Sequence, residues 1–375
     1  MRLLYVVNAL AIHGGLERII IDKVNWLAEH TDNELYVATA DQGSHPVVFP
    51  LHPKVIHFDL GVFFHEQYRY SGLKRWRCTF RLHKLFQSRL KEKVMEISPD
   101  IVICSQKQYV GDVDKARGSI SLVFECHSAC LAWRYEGYDI WHILNNKIYD
   151  WNVKKTQMVV ALTEGDAEDW RKITSRVKVI PNMAHLNDTG RMSDCHSKMI
   201  IFVGRYTVQK DIGSLLRIWD IVHLRHPDWQ LHLYGGYGNQ PDKWQNEIAQ
   251  MNANVFAHDP TSQIFERYLD SSILLLTSLH EPFGLVLPEA MSCGLPVVAF
   301  DCPFGPSEII NDGTDGFLIK DRNIEQFAER VCQLIEDDEL RCRMGKAAAD
   351  SSQRYRADVI MPRWIELFEE ITNKS

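Results

Sequence analysis

Short apolar runs recur along the chain, each closed by turn residues and followed by a longer stretch with helical spacing. Arg2–Val7, Glu34–Thr39, Val55–Phe58, Ile101–Cys104, Ser121–Phe124, Val159–Thr163 and Val177–Ile180 have the length and composition of strands. Several are apolar throughout, as expected of parallel strands covered on both faces. Between the first two, Leu16–Ala28 places apolar residues at helical intervals. Periodicity fails over His185–Lys198, where NDTGRMSDCHSK reads as a linker. The alternation then restarts, with strands at Met199–Val203, Gln230–Tyr234, Ile273–Thr277, Val297–Phe300 and Gly316–Ile319. Helices are expected at Ile212–Leu224, near Lys243–Met251, and at the end of the chain over Val359–Ile371. Two successive runs of this kind predict an α/β protein with two doubly wound domains.

Composition narrows the class. A chain of 375 residues is too long for one ordinary core, and 45% hydrophobic with 24% charged residues fits a soluble globular protein. No apolar run reaches the length of a membrane span, and the opening MRLLYVVNALAIHGG reads as a first buried strand running into a glycine turn. Nine cysteines with no Cys-x-x-Cys pair predict reduced thiols of a cytoplasmic protein, with neither a disulfide framework nor a zinc site. The net charge of −7 is uneven: residues 1–183 hold 24 Lys and Arg against 21 acids, the remainder 18 against 28. This balance excludes a general nucleic-acid binder and leaves the first half as the part able to approach an anionic surface.

Arg69–Lys93 concentrates that basicity, with nine Lys or Arg against the single acid Glu92. Leu82, Phe86, Leu90 and Val94 fall on one helical stripe, which describes a core helix with a solvated basic face. Arg69, Lys74, Arg75, Arg77, Arg81 and Lys84, interleaved with Tyr70, Trp76 and Phe80, equally describe a basic amphipathic helix. Such a helix rests on anionic lipid or grips a diphosphate-linked acceptor.

Candidate chemistry lies where strands hand over to helices, the ligand-binding edge of an open α/β sheet. Gly14-Gly15 follows the first strand and is either a tight turn or a place where a ligand meets the backbone. His127 stands just past Ser121–Phe124 and is either structural or ligand-facing. In VGRYTVQKD, Arg205 and Lys210 set two cations around a strand-to-helix loop, as in a salt-bridged turn or a diphosphate site. In EPFGLVLPE, a helix beginning near Gly284 leaves its first N–H groups unpaired. Its Glu281 and Glu289 are placed on one side of that helix, Glu281 at the mouth and Glu289 deeper. The pair Asp112 and Asp114 lies in the wrong half for a metal beside the diphosphate cations, and no metal site is expected.

The text EPFGLVLPEAMSCGLPVVAFDCPFGPSEII, with Glu281-x7-Glu289 between strand and helix, resembles the donor-site signature of retaining glycosyltransferases of family 4. GGLER, the Arg205-x4-Lys210 pair, His127 after its strand and the Pro181-Asn182 turn are similar to that family's motifs. The resemblance implies the GT-B architecture, two Rossmann-like domains facing across a cleft. Residues 1–185 would form the acceptor-side domain, 197–356 the donor domain, and helix 357–375 would cross back onto the first.

It also implies transfer of a hexosyl unit from a nucleotide-diphosphate sugar, UDP favoured, to a hydroxyl of a glycan or lipid-linked acceptor in polysaccharide biosynthesis. No cofactor or metal is implied. His127, Glu281, Arg205 and Lys210 are the implied catalytic residues. The donor would meet these last three with Gly14, Gly15, Glu289 and the backbone of Phe283, Gly284 and Leu285. Glu281 would touch sugar hydroxyls and Glu289 the ribose diol, with the enzyme peripheral on the cytoplasmic face of the membrane. Competing readings are a GT-B nucleotide-sugar epimerase, a non-catalytic membrane scaffold, and an oxidoreductase built on Gly235-Gly236-Tyr237-Gly238, which lacks the fingerprint's third glycine.

Overall fold

The computed structural model describes the whole chain except residues 13, 131–139, 237–240, 252 and 374–375, with side chains also left aside at 140–142, 241–242 and 245. The chain divides into two units, Met1–Pro181 with the C-terminal helix Ala357–Asn373, and Asn182–Arg356.

In the first unit seven strands form one sheet: β1 (Arg2–Val7), β2 (Glu34–Thr39), β3 (Val55–Asp59), β4 (Ile101–Cys104), β5 (Ser121–Glu125), β6 (Met158–Ala161) and β7 (Val177–Val179). Their order is β3-β2-β1-β4-β5-β6-β7 and every pairing is parallel. Strands such as β4, in which all four residues are buried, are apolar because helices cover both faces. The second unit repeats the plan with β8 (Met199–Val203), β9 (Gln230–Tyr234), β10 (Val255–His258), β11 (Ile273–Leu276), β12 (Val297–Phe300) and β13 (Gly316–Ile319). These are parallel in the order β10-β9-β8-β11-β12-β13. Each unit has its own apolar core.

Most strand limits match the apolar runs to within a residue or two. The exception is β10, whose sequence VFAH shows no alternation; it is an edge strand with no buried residue, so burial left little mark on it. The segment read as a linker, His185–Lys198, is hydrogen-bonded into the second unit. Ser193 N–H donates to the Cys293 carbonyl at 2.8 Å and the buried Arg341 donates to the Cys195 carbonyl at 2.7 Å. Its polar residues are spent on backbone groups, and so its periodicity is missing.

A parallel sheet reverses winding direction once, opening a crevice at the carboxyl ends of two neighbouring strands. In the first sheet this point lies between β1 and β4, in the second between β8 and β11.

The C-terminal helix packs on the first helix, Gly15–His30. Trp364 is buried, with the Lys23 ammonium 3.6 Å from its ring centroid, and Arg363 donates to the Val179 carbonyl at 2.6 Å. Trp364→Ala should destabilise the first unit by about 3–5 kcal/mol, the range for emptying a buried tryptophan site. A denaturant midpoint equal to that of the parent protein would show that this helix is not part of the first core.

Candidate active site

The loops after β8 and β11 meet at the second sheet's switch point. Asp211 caps helix Ile212–Arg225 by accepting from Ser214 N–H at 3.2 Å. Thr277, just past β11, donates its hydroxyl to the Lys210 carbonyl at 2.9 Å. Arg322 ties the same elements together. It donates to the Ser278 and Thr277 carbonyls, each at 2.9 Å, and pairs with the Asp211 carboxylate. Lys210 and the strand carrying Glu281 are therefore fixed by a shared hydrogen-bond network before any ligand arrives.

Lys210 Nζ lies 2.5 Å from Glu281 Oε1, and Gln209 Nε2 donates to the His280 carbonyl at 3.0 Å beside them. The Lys210 stem runs over Gly204, where a Cβ would stand 3.3 Å from Lys210 Cε. Arg205 follows directly; it is exposed and makes no ion pair among the described residues. Arg205, Lys210 and Glu281 thus all follow the carboxyl ends of the neighbouring strands β8 and β11, with Lys210 and Glu281 in contact. Gly235 has a packing role there, since a Cβ on it would fall 2.0 Å from the Gly204 carbonyl oxygen. The rest of that glycine motif, Tyr237 and Gly238, lies outside the described residues.

Two expectations for Glu281 and Glu289 need correction. The helix spans only Val286–Ser292, starting two residues after Gly284, so Glu281 does not lie on it. Glu281 precedes it on a strand-like bridge to Phe304, donating its N–H to the Pro303 carbonyl at 2.7 Å and accepting from Phe304 and Gly305 N–H. Gly284 stands between at φ +93°, a left-handed turn that separates bridge from helix. The order of depth is also reversed. Glu281 is 5% exposed and Glu289 is half-buried; Lys210 compensates the inner carboxylate, and the Tyr268 hydroxyl meets Glu289 at 3.4 Å. Burial first, and the Glu289 charge second, push the Tyr268 hydroxyl well above its usual range.

The Phe283 side chain is turned inward, edge-on to Tyr355 at 5.2 Å. The backbone N–H groups of Phe283, Gly284 and Leu285 have no backbone acceptor among the described residues. They form an open set of donors next to Glu281, supplied by the turn rather than by a helix dipole.

In the first unit Gly14 caps helix Gly15–His30 after β1, and His127 follows β5. His127 Nε2 stands 2.9 Å from Glu125 Oε1 at an angle that is not a hydrogen bond, and the same oxygen pairs with Lys23. Lys23 and Glu125 are 3% and 0% exposed. Burial by itself would raise the Glu125 carboxyl, but Lys23 and then His127 outweigh it and hold it down at about 2. Burial lowers the Lys23 ammonium, opposed by Glu125. Neither Lys23 nor Glu125 stands out as a site residue in the sequence, and β5 running one residue further, through Glu125, is the only local sign.

Beside these residues, at the carboxyl ends of β1 and β2, a hollow of ≈ 550 Å³ opens, lined among others by Asn8, Ile12, Asp41, His45, Phe63 and His65. His65 Nδ1 is 3.0 Å from the Asp41 carboxylate. Asp112 and Asp114 are engaged elsewhere, the first with His83 at 2.6 Å and the second with Arg117 and Lys155. Among the described residues no three His, Cys, Asp or Glu side chains gather as a metal site.

Two doubly wound parallel-sheet units are the parts of the GT-B fold, and comparison with known proteins supplies the activity class, a glycosyltransferase. The profile Glycosyltransferase Family 4 matches residues 13–187 and the profile Glycosyl transferases group 1 matches residues 193–351. The chain is 26% identical over 377 residues to the amylovoran biosynthesis glycosyltransferase AmsD of Erwinia amylovora, covering 98% of this chain and 99% of that one. It is 30% identical over 229 residues to the poly(ribitol-phosphate) alpha-N-acetylglucosaminyltransferase of Staphylococcus aureus, 58% of this chain and 45% of that protein. Among solved structures, S. aureus TarM with UDP and alpha-GlcNAc-glycerol superposes at TM-score 0.80 with 16% identity, over 98% of this chain and 99% of that one. Anabaena HepE with UDP and glucose does so at 0.76 with 18% identity, over 98% and 99%. The chain is a GT4-like glycosyltransferase, its first half matching the Family 4 profile and its second half the group 1 profile.

The Lys23–Glu125 pair predicts a pH response with a definite sign. A carboxyl held at about 2 in the fold against an ordinary 4.5 contributes stability that is complete above the ordinary value and is lost as pH falls towards 2. Glu125→Gln should remove that acid-limb dependence and leave Lys23 buried without a counter-charge, costing about 3–5 kcal/mol. Parallel stability–pH curves for parent and variant below pH ~5 would show that Glu125 is not ionised in the folded protein.

Proposed function

We propose that the protein transfers a hexosyl unit, with retention at the anomeric carbon, from a nucleotide-diphosphate sugar to a hydroxyl of a growing surface glycan or its lipid-diphosphate-linked precursor. The observation that carries this reading is the Lys210–Glu281 pair at the switch point of the second sheet, with the exposed Arg205 in the same loop as Lys210 and N–H groups at Phe283–Leu285 without a backbone acceptor among the described residues.

A nucleoside diphosphate arriving there offers Lys210 a stronger partner than Glu281. Lys210 and Arg205 then hold the two phosphates and stabilise the charge that develops as the sugar–oxygen bond breaks. Glu281, released from Lys210, accepts hydrogen bonds from sugar hydroxyls, while Glu289 takes the ribose diol. The fixed cations and N–H donors supply the charge stabilisation, and the reading needs no metal or cofactor. As the bond from the anomeric carbon to the phosphate oxygen breaks, the acceptor oxygen bonds to that carbon on the same face. Its proton passes to the departing phosphate, which serves as the base. From the first unit, this reading assigns His127 and the Gly14-Gly15 turn to binding the transferred sugar and the hollow at Asp41 and His65 to the acceptor.

UDP is the favoured nucleotide, in keeping with its presence in the TarM and HepE structures. An alpha-linked product, as in the name of the S. aureus relative, is what retention from an alpha-linked donor yields. AmsD, similar over nearly its full length, is named for polysaccharide biosynthesis and supports a glycan acceptor. AmsD and the S. aureus relative both carry the names of transferases, which favours transfer over epimerisation or a scaffold role.

Lys210→Ala should lower transfer from a purified UDP-sugar by about 2.7–4 kcal/mol of transition-state stabilisation, roughly 10²–10³-fold in kcat, with an unchanged circular dichroism spectrum. Turnover equal to that of the parent enzyme would remove the diphosphate from this site. The anomeric proton coupling in the product decides retention: inversion would refute the same-face step while leaving the donor site in place.

A further inference from the structure

Helix Gly72–Ile97 carries two apolar stripes. Cys78, Leu82, Phe86, Leu90 and Val94 are buried in the first unit's core. Leu73, Trp76 and Phe80, spaced i, i+3 and i+7, lie roughly half a turn round the helix from them and are 77%, 66% and 55% exposed. The Trp76 and Phe80 rings stack at 5.9 Å. Every residue from Ser71 to Arg77 is exposed, so the start of the helix projects from the core that holds its other end.

The charges around this second stripe are all of one sign. No acid occurs between Glu66 and Glu92. Lys74, Arg77, Arg81 and Lys84 follow one another at i+3 or i+4 spacing, where like charges repel along a helix. The first turn contains Lys74 and Arg75 and no acid, the wrong sign for the positive end of the helix dipole. None of Lys74, Arg75, Arg77, Arg81 and Lys84 makes an ion pair among the described residues. The helix start is therefore destabilised by its own charges and exposes a row of apolar side chains, and an external anion would relieve the first defect.

A soluble polyanion would answer the charges and leave Leu73, Trp76 and Phe80 in water. The surface of an anionic bilayer answers both. Phosphate headgroups meet the cations while tryptophan and its apolar neighbours enter the headgroup boundary, the depth that suits aromatic rings. No helix among the described residues is long and apolar enough to cross a membrane, so this contact lies along the surface.

We propose that Leu73, Trp76 and Phe80, flanked by Lys74, Arg77 and Arg81, seat the protein on an anionic lipid bilayer. This goes beyond the transfer reaction and does not rest on it. The test is flotation of the full chain with vesicles of pure phosphatidylglycerol and of pure phosphatidylcholine, without donor or acceptor. The parent protein should float with the first, not the second, and release at high salt. The triple variant Lys74→Glu, Arg77→Glu, Arg81→Glu should bind roughly a hundredfold more weakly. Leu73→Ala, Trp76→Ala and Phe80→Ala together should bind at least about tenfold more weakly. All six positions are exposed, and an unchanged thermal midpoint confirms that the variants fold. A folded parent protein that stays in solution overturns the proposal, as does charge reversal without effect. An apolar triple variant that binds like the parent also overturns it and assigns the patch to a soluble polyanion.

Discussion

A lysine facing a buried glutamate stands at the carboxyl end of each sheet, and the two pairs obey the same cost. Taking an ammonium and a carboxylate out of water is expensive, and their attraction repays it only when the geometry is held by further bonds. In the first unit the Lys23–Glu125 pair is sealed beneath Trp364, with His127 added at its edge. In the second, the Lys210–Glu281 pair keeps the lysine partly open to solvent. A sealed pair fixes geometry; a pair with an open face exchanges partners. That difference suits the first to holding β5 against the first helix and the second to meeting a charged substrate.

The framework around Lys210 holds its backbone independently of the partner its side chain meets. Its backbone is held by Thr277, its neighbour Asp211 caps a helix and binds Arg322, and Arg322 in turn holds the carbonyls that end β11. Only the side chain is free to move. In the proposed reaction Lys210 is thus already in place when negative charge develops, the condition under which a fixed charge lowers a barrier most. The turn at Gly284 completes the arrangement by presenting N–H groups beside the carboxylate.

Helix Gly72–Ile97 is built from two parts that obey different rules. Its later turns obey the core, with apolar residues every three or four positions. Its first turns ignore the core and oppose the helix's own electrostatics. Local rules are broken at places where something outside the fold compensates, and here they are broken by charge and by apolar exposure together.

The amino-acid sequence by itself determined the α/β class, the limits of nearly all strands and the motif that marks the family. Burial between two helical layers demands continuous apolar runs, and tight strand-to-helix turns demand glycine, so these features are written locally. Tertiary structure alone decided what the charged residues do. Lys210 and Glu281 are 71 positions apart and Lys23 and Glu125 are 102, distances over which no periodicity reports a contact. The same holds for Glu281, which looked like a helix residue by spacing and is a bridge residue because Phe304 and Gly305 arrive from elsewhere to bond its carbonyl. An ion pair depends on where chain segments meet in space, and only the packed sheet determines that.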